Sequence, residues 1–234
     1  MVFDIRGIGN TTSATKPYST KLLAKDTSGL MDTLKIQNAS ILGYSLGKFT
    51  TQQFAITHPD KVSNIIIIAG SCGGIEGITK PQEFLDLQAV IMNERTNNVT
   101  VSTEELKGLV AGSLGSGWLK LRPESIDLPE NISLQQMKPG LSSETMDNRA
   151  DTGWNWEAQN WSGVCKQLAK VAKPTLVMTG TDDNDYMPHK NALIIASKVP
   201  GAWLIQIKDA GHAIVDQYPG KLGNIIQTFL SIVK

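Results

Sequence analysis

The run Val62-Ser-Asn-Ile-Ile-Ile-Ile-Ala69 sets the strongest limit on the fold. Its last five residues form one of the two longest unbroken apolar stretches in the chain. So dense a β-branched run reads as a strand covered on both faces, the signature of a parallel sheet with helices on each side. The flanking segments fit that plan. Between Ser19 and Lys35, Leu22, Leu23, Leu30 and Leu34 recur at helical spacing, with Asp26 and Asp32 on the wetter side. Ser40 to Tyr44 reads as a short buried strand, and residues 46–57 as a helix stopped by His58-Pro59, because proline expels its predecessor from the α region. Further on, Pro174–Met178 is a strand, 189–198 a helix, Trp203–Ile207 a strand and 221–233 a closing helix. Strand and helix alternate, which predicts an α/β fold with a doubly wound, mostly parallel sheet.

The stretch from 75 to 160 has another texture. Phe84, Leu85, Leu87, Val90 and Ile91 are spaced for a helix, buried-strand runs are missing, and Gly112–Gly117 and Pro123–Pro139 read as loops. Residues 1–74 and 161–234 are therefore expected to form one α/β core, with 75–160 inserted as a helical cap.

At 234 residues the chain suits one domain with a real core. Twenty-two Lys plus Arg balance twenty-two Asp plus Glu, and no basic block stands out, so nucleic acid or an anionic membrane has no electrostatic support as a partner. No apolar stretch approaches the roughly 20 residues of a membrane span. The start, MVFDIRG, shows no secretory signal. Two cysteines, Cys72 and Cys165, cannot make a disulfide scaffold and lack metal-ligand spacing. They are expected to be buried free thiols in a reduced, cytoplasmic protein.

The sharpest chemical signal is Gly43-Tyr-Ser45-Leu-Gly47, set between a predicted strand and a predicted helix. This is the G-x-S-x-G nucleophile elbow in the context that the motif requires. A serine thrown out on a tight strand-to-helix turn has a strained backbone and leaves no room for side chains two positions away. The same turn offers the N–H of Leu46 and the positive end of the helix to a developing oxyanion. By itself the pattern could be a turn built from small residues, and what lifts it is the order of its partners.

A serine nucleophile needs a base, and the base an acid to fix its tautomer. Of three histidines, His58 ends the helix after the elbow and points away, and His189 opens a later helix as a polar position. His212, in Asp209-Ala-Gly-His-Ala, follows the last strand, where open parallel sheets carry their sites. The acid should lie between Ser45 and His212 in chain order. Gly180-Thr-Asp182-Asp183-Asn-Asp185 offers three carboxylates; Asp183 is preferred, then Asp182, then Asp185. The cluster lacks the glycine and the later glutamate of an EF-hand calcium loop. Neither a metal nor an organic cofactor is expected, and Gly7-Ile-Gly9 is no dinucleotide fingerprint. Trp118, Trp154, Trp156 and Trp161 fall in or beside the insertion and are read as the cap's own small core, with the lining of an acyl pocket as the alternative.

Phe3-Asp-Ile-Arg-Gly-Ile-Gly, Leu23-Ala-Lys-Asp26, Gly43-Tyr-Ser-Leu-Gly47, His58-Pro-Asp-Lys-Val62, Pro174-Thr-Leu-Val-Met-Thr-Gly180, Gly201-Ala-Trp203 and Gly211-His212 follow one another along the chain. That succession resembles the α/β-hydrolase superfamily, in its branch of capped esterases, lipases and proline-iminopeptidase-like enzymes. The likeness covers both α/β parts well and the cap weakly. It implies a Ser45–Asp183–His212 triad, since the family's acid stands three residues after the strand-end glycine. The segment before Pro188 is one residue longer than usual, which keeps Asp182 open. Two departures accompany it. Lys48 stands where the family usually has a small residue. The family's strands before the one ending in Phe3-Asp4, with the histidine-glycine loop that completes the oxyanion hole, have no counterpart here.

The expected protein is thus a serine hydrolase acting on small carboxylic esters. The same triad would also serve an aminopeptidase or a carbon–carbon hydrolase, and a ligand-binding or signalling protein on this fold is the alternative from another class. The strand carrying the nucleophile would lack its usual neighbour, so self-association through an exposed sheet edge is expected.

Overall fold

The computed structural model describes residues 1–7, 9–12, 18–96, 102–127, 152–153, 155–158, 160–161 and 163–233. Helix α1 (Thr20–Thr33) precedes β1 (Ala39–Tyr44), α2 (Leu46–Thr57) and β2 (Val62–Ile68). Then come α3 (Gln82–Thr96), α4 (Thr103–Leu114), α5 (Ser116–Leu121) and α6 (Cys165–Leu168). The chain closes with β3 (Thr175–Gly180), α7 (Lys190–Lys198), β4 (Trp203–Ile207), α8 (Ile214–Gln217) and α9 (Pro219–Ile232). Local chemistry sets these boundaries: the Ser19 hydroxyl caps α1 by accepting from Leu22 N, and Ser102 with Glu105 forms a capping box on α4.

The four strands form one parallel sheet in the order β1-β2-β3-β4. Tyr44 lies opposite Ile68, Ile68 opposite Met178 and Gly180 opposite Ile207, so the carboxyl ends of all four strands fall on one side of the molecule. β2 is covered on both faces, as its composition predicts. Ile65 and Ile67 join Phe49, Phe54, Val177 and Ile195 on one face; Ile66 and Ile68 join Leu176, Met178, Leu222 and Phe229 on the other. Alternate side chains of a strand point to opposite faces, so one isoleucine run serves two cores. Among the described residues, those between β2 and β3 include helices α3 to α6 and no strand.

Three expectations change. Residues 1–5 form no strand, and Val2 is 96% exposed. A strand needs a ladder partner, and here the segment is held instead by Arg6, whose Nε donates to Asp26 Oδ2 at 2.6 Å. Asp26 is therefore an ion-pair partner rather than a wet surface residue. Cys72 and Cys165 are not free thiols but a disulfide, joining residues 93 apart in sequence whose Cα atoms lie 5.0 Å apart. Nothing in their spacing foretold this, because the fold returns the chain from the insertion to the end of β2.

The third change concerns the tryptophans. Trp156 stacks on Phe49 of α2 at 5.2 Å and donates its indole N–H to Ser71 O, while Trp161 meets it edge-on and donates to Trp156 O. Both thus pack against the α/β core instead of forming a separate one. A buried indole needs an acceptor, and the loop after β2 supplies the carbonyl. Trp118 meets Tyr218 edge-on and donates to Ser125 Oγ. Trp154 and the 128–139 part of the predicted loop lie outside the described residues.

Candidate active site

Ser45 stands at the junction of β1 and α2 with φ 53° and ψ −127°, a left-handed conformation that a non-glycine residue adopts only under structural compulsion. The compulsion is close packing. A Cβ at Gly43 would collide with Gly47 O and Thr51 Oγ1, so only glycine permits the turn there. The reading of Gly47 is corrected: a Cβ at that position would meet nothing within 4 Å, because it faces open space. Leu46 opens α2, and among the described residues its N–H has no hydrogen-bond acceptor, as expected for the first turn of a helix.

The loops after β3 and β4 bring the other two residues together. His212 Nδ1 lies 2.9 Å from Asp183 Oδ2; Asp183 is fully buried and His212 is 6% exposed. Asp183 is held in place from both ends. Its Oδ1 accepts from Met187 N at 2.8 Å, and its backbone carbonyl accepts from His189 N at 2.6 Å. With Nδ1 donating to the carboxylate, the Nε2 of His212 carries the lone pair. Burial holds the imidazole pKa below its ordinary value; Asp183 opposes that shift, and the charges of Lys48 and Lys80 reinforce it.

The other acidic candidates point elsewhere. Asp182 Oδ2 accepts from Gly117 N at 2.6 Å and lies 3.3 Å from Ser116 Oγ, so it serves the start of α5. Asp185 is half-buried near Gly112, and burial raises its carboxyl pKa. His58 stacks on Phe54 at the end of α2, and His189 pairs through Nδ1 with Asn184 Oδ1 at 3.2 Å. Among the described residues no cluster of three or more His, Cys, Asp or Glu side chains could hold a metal ion.

No hydrogen bond joins Ser45 Oγ to His212. Such contacts are often long before substrate binds. What ties the elbow to the histidine loop is Tyr44, whose hydroxyl donates to His212 O at 3.0 Å and whose ring lies 5.5 Å from the imidazole. Tyr186 stacks on the imidazole at 5.0 Å and 15°, and burial pushes its hydroxyl pKa up to about 12. The histidine loop is further anchored by Ala213 N donating to Ser113 O, and by Gln217, which accepts from Gly211 N and donates to Leu114 O. Sequence reasoning missed these supports. Tyr44 sits inside the motif itself and Tyr186 next to the acid cluster, but an aromatic residue's ring partner is invisible before the loops are placed.

The strained serine turn and the buried histidine–aspartate pair, at the carboxyl ends of one parallel sheet, are accompanied by a family match. The family model described as alpha/beta hydrolase fold matches residues 1–219, and the chain belongs to that family. It is 25% identical over 232 residues to a poly(3-hydroxyalkanoate) depolymerase of Ectopseudomonas oleovorans, covering 98% of this chain and 74% of the relative. It is 29% identical over 231 residues to the proline iminopeptidase PfmaB of Pestalotiopsis fici, covering 91% of this chain and 74% of the relative. Among solved structures it is similar to Est816, described as an N-acyl homoserine lactone degrading enzyme. There the TM-score is 0.73 and the identity 25%, over 97% of this chain and 80% of that one. Family and relatives define a hydrolase. Among the described residues no helix is long and apolar enough to cross a membrane.

Proposed function

We propose that this protein cleaves small carboxylic esters through an acyl-enzyme on Ser45. The observation that carries the reading is the buried 2.9 Å pair of Asp183 and His212, tied through Tyr44 to the strained turn of Ser45. In this mechanism His212 Nε2 takes the Ser45 proton as Oγ attacks the acyl carbon. Asp183 keeps the tautomer and stabilises the imidazolium, and the Leu46 N–H and the start of α2 support the oxyanion. His212 then returns the proton to the leaving alcohol. Water activated by the same imidazole frees the acid, so no cofactor enters.

The depolymerase and lactone-degrading relatives favour ester chemistry over the peptide chemistry of the iminopeptidase relative. Within residues 75–160, the described helices α3 to α5 form part of a cap over this site. Association with a second copy follows from β1, which has no strand on its outer side among the described residues and leaves Leu42 48% exposed. The cytoplasmic placement rested on reduced thiols, and the Cys72–Cys165 disulfide favours an oxidising compartment instead.

Hydrolysis of p-nitrophenyl acetate and butyrate by the wild type and Ser45→Ala tests the reaction. Steady release abolished by the substitution supports it. A stoichiometric burst without turnover supports a ligand-binding protein, and turnover that survives Ser45→Ala removes Ser45 as the nucleophile.

A further inference from the structure

Lys48 is a buried cation that the reaction above does not use. It lies in the first turn of α2, three residues beyond Ser45, and is 4% exposed. Lysine is almost never buried so fully without a partner. Among the described residues, however, its ammonium has neither a hydrogen bond nor an ion pair; its close neighbour is the Phe49 ring, 4.6 Å from Nζ to centroid. Two carboxylates lie near enough to act on it, Glu157 and Asp183. Asp183 is already engaged by His212 and Met187 N, and Glu157 Oε2 accepts from Lys80 Nζ at 2.7 Å. The nearby Lys80 adds only repulsion. Burial brings the Lys48 pKa down to about 8, so the group is mostly charged at neutral pH. It stands three residues from Ser45 on α2, and its charge helps lower the His212 pKa.

We propose that Lys48 receives a carboxylate of the substrate, so that the ester cleaved here carries a second, ionised acid group on its acyl part. The proposal rests on Ser45 as the nucleophile. Lys48 follows Ser45 by three residues at the start of α2, a rise of about 4.5 Å along the helix. That interval suits the half-ester of a short dicarboxylic acid. When such a group enters, the ammonium gains the contact counter-ion it lacks, and an ion pair out of water is strong and directional.

The test uses p-nitrophenyl hydrogen glutarate and the same ester with its free acid capped as a methyl ester. Wild type, Lys48→Arg, Lys48→Gln and Lys48→Met are compared at pH 7. The wild type should favour the free acid by roughly 10–100-fold in kcat/KM. Lys48→Arg should keep most of that ratio, while Lys48→Gln and Lys48→Met bring it to about one. The wild-type ratio should also shrink as the pH passes about 8, where Lys48, set among Glu157, Asp183 and Lys80, loses its charge. A second arm needs no turnover: monomethyl glutarate, but not dimethyl glutarate, should raise the melting temperature of the wild type and not of Lys48→Met. A wild type indifferent to the acid overturns the proposal, as does a ratio that survives Lys48→Met. Equal losses on both esters would place Lys48 at the oxyanion, which also overturns it. If neither ester is hydrolysed yet monomethyl glutarate still protects through Lys48, the recognition stands and the proposed ester cleavage falls.

Discussion

β1 and β3 run parallel in the same sheet with β2 between them, yet they support the candidate site in opposite ways. All six residues of β3 are buried, and strands lie on both of its sides. β1 is an edge, alternates between exposed and half-buried until Gly43, and leaves Leu42 half exposed. The aspartate therefore extends from the most protected strand and the serine from the least protected one. The difference shows that two kinds of support converge on one site. Asp183 and His212 are placed by the interior and by backbone anchors at both loops. Ser45 is placed by its own turn, by the packing of Phe49 and Phe54 behind α2, and by Tyr44 reaching to the histidine loop.

Substitutions within the site test whether its two halves act as one unit. On p-nitrophenyl butyrate, Ser45→Ala and His212→Ala should each lower kcat by roughly 10⁴–10⁶-fold. Asp183→Asn should cost about 10⁴-fold, since the amide favours the wrong imidazole tautomer, whereas Asp182→Asn should cost less than about tenfold. A larger loss at Asp182 would move the acid by one residue within the loop after β3. Stability draws the same contrast in another quantity. Leu176→Ala in β3, where the side chain is fully buried, should cost about 2–5 kcal/mol in urea unfolding, and Leu42→Ala in β1 less than about 1 kcal/mol. Equal costs would show that the edge of β1 is covered in solution.

That edge can also be tested directly. Leu42→Lys puts a charge on the exposed strand, and light scattering should report a lower mass than for the wild type at equal concentration. An unchanged monomer in both proteins would show that the edge is quiet. The smallest effect is on pH. His212 must be neutral to take the serine proton, and its pKa lies below the ordinary 6.5. The acid limb of kcat/KM should therefore have its midpoint below 6.5, with activity lost as pH falls through it. A midpoint above 6.5 would mean that the Asp183 charge outweighs burial at the histidine.

Most of the sheet was legible because its rules are local. The Ile65–Ile68 run, the Pro59 stop and the elbow glycine at 43 each declare a backbone state through side-chain chemistry a few residues wide. Chain order alone also narrowed the site to Ser45, His212 and three adjacent aspartates. The choice among Asp182, Asp183 and Asp185 was not local. It depends on which carboxylate faces the β4 loop and which faces α5, and a one-residue shift in a turn reverses the answer.

The sequence by itself determined the parallel α/β core, the strained serine turn and the candidates for base and acid, because hydrophobic period and turn chemistry act over short spans. Only the tertiary structure decided that Asp183 meets His212, that Tyr44 and Tyr186 bracket the imidazole, that Cys72 joins Cys165, and that Lys48 is buried beside them. Each of these joins segments brought together by packing or depends on what that packing encloses, and no residue carries in its own neighbourhood the identity of a partner that the fold delivers from far along the chain.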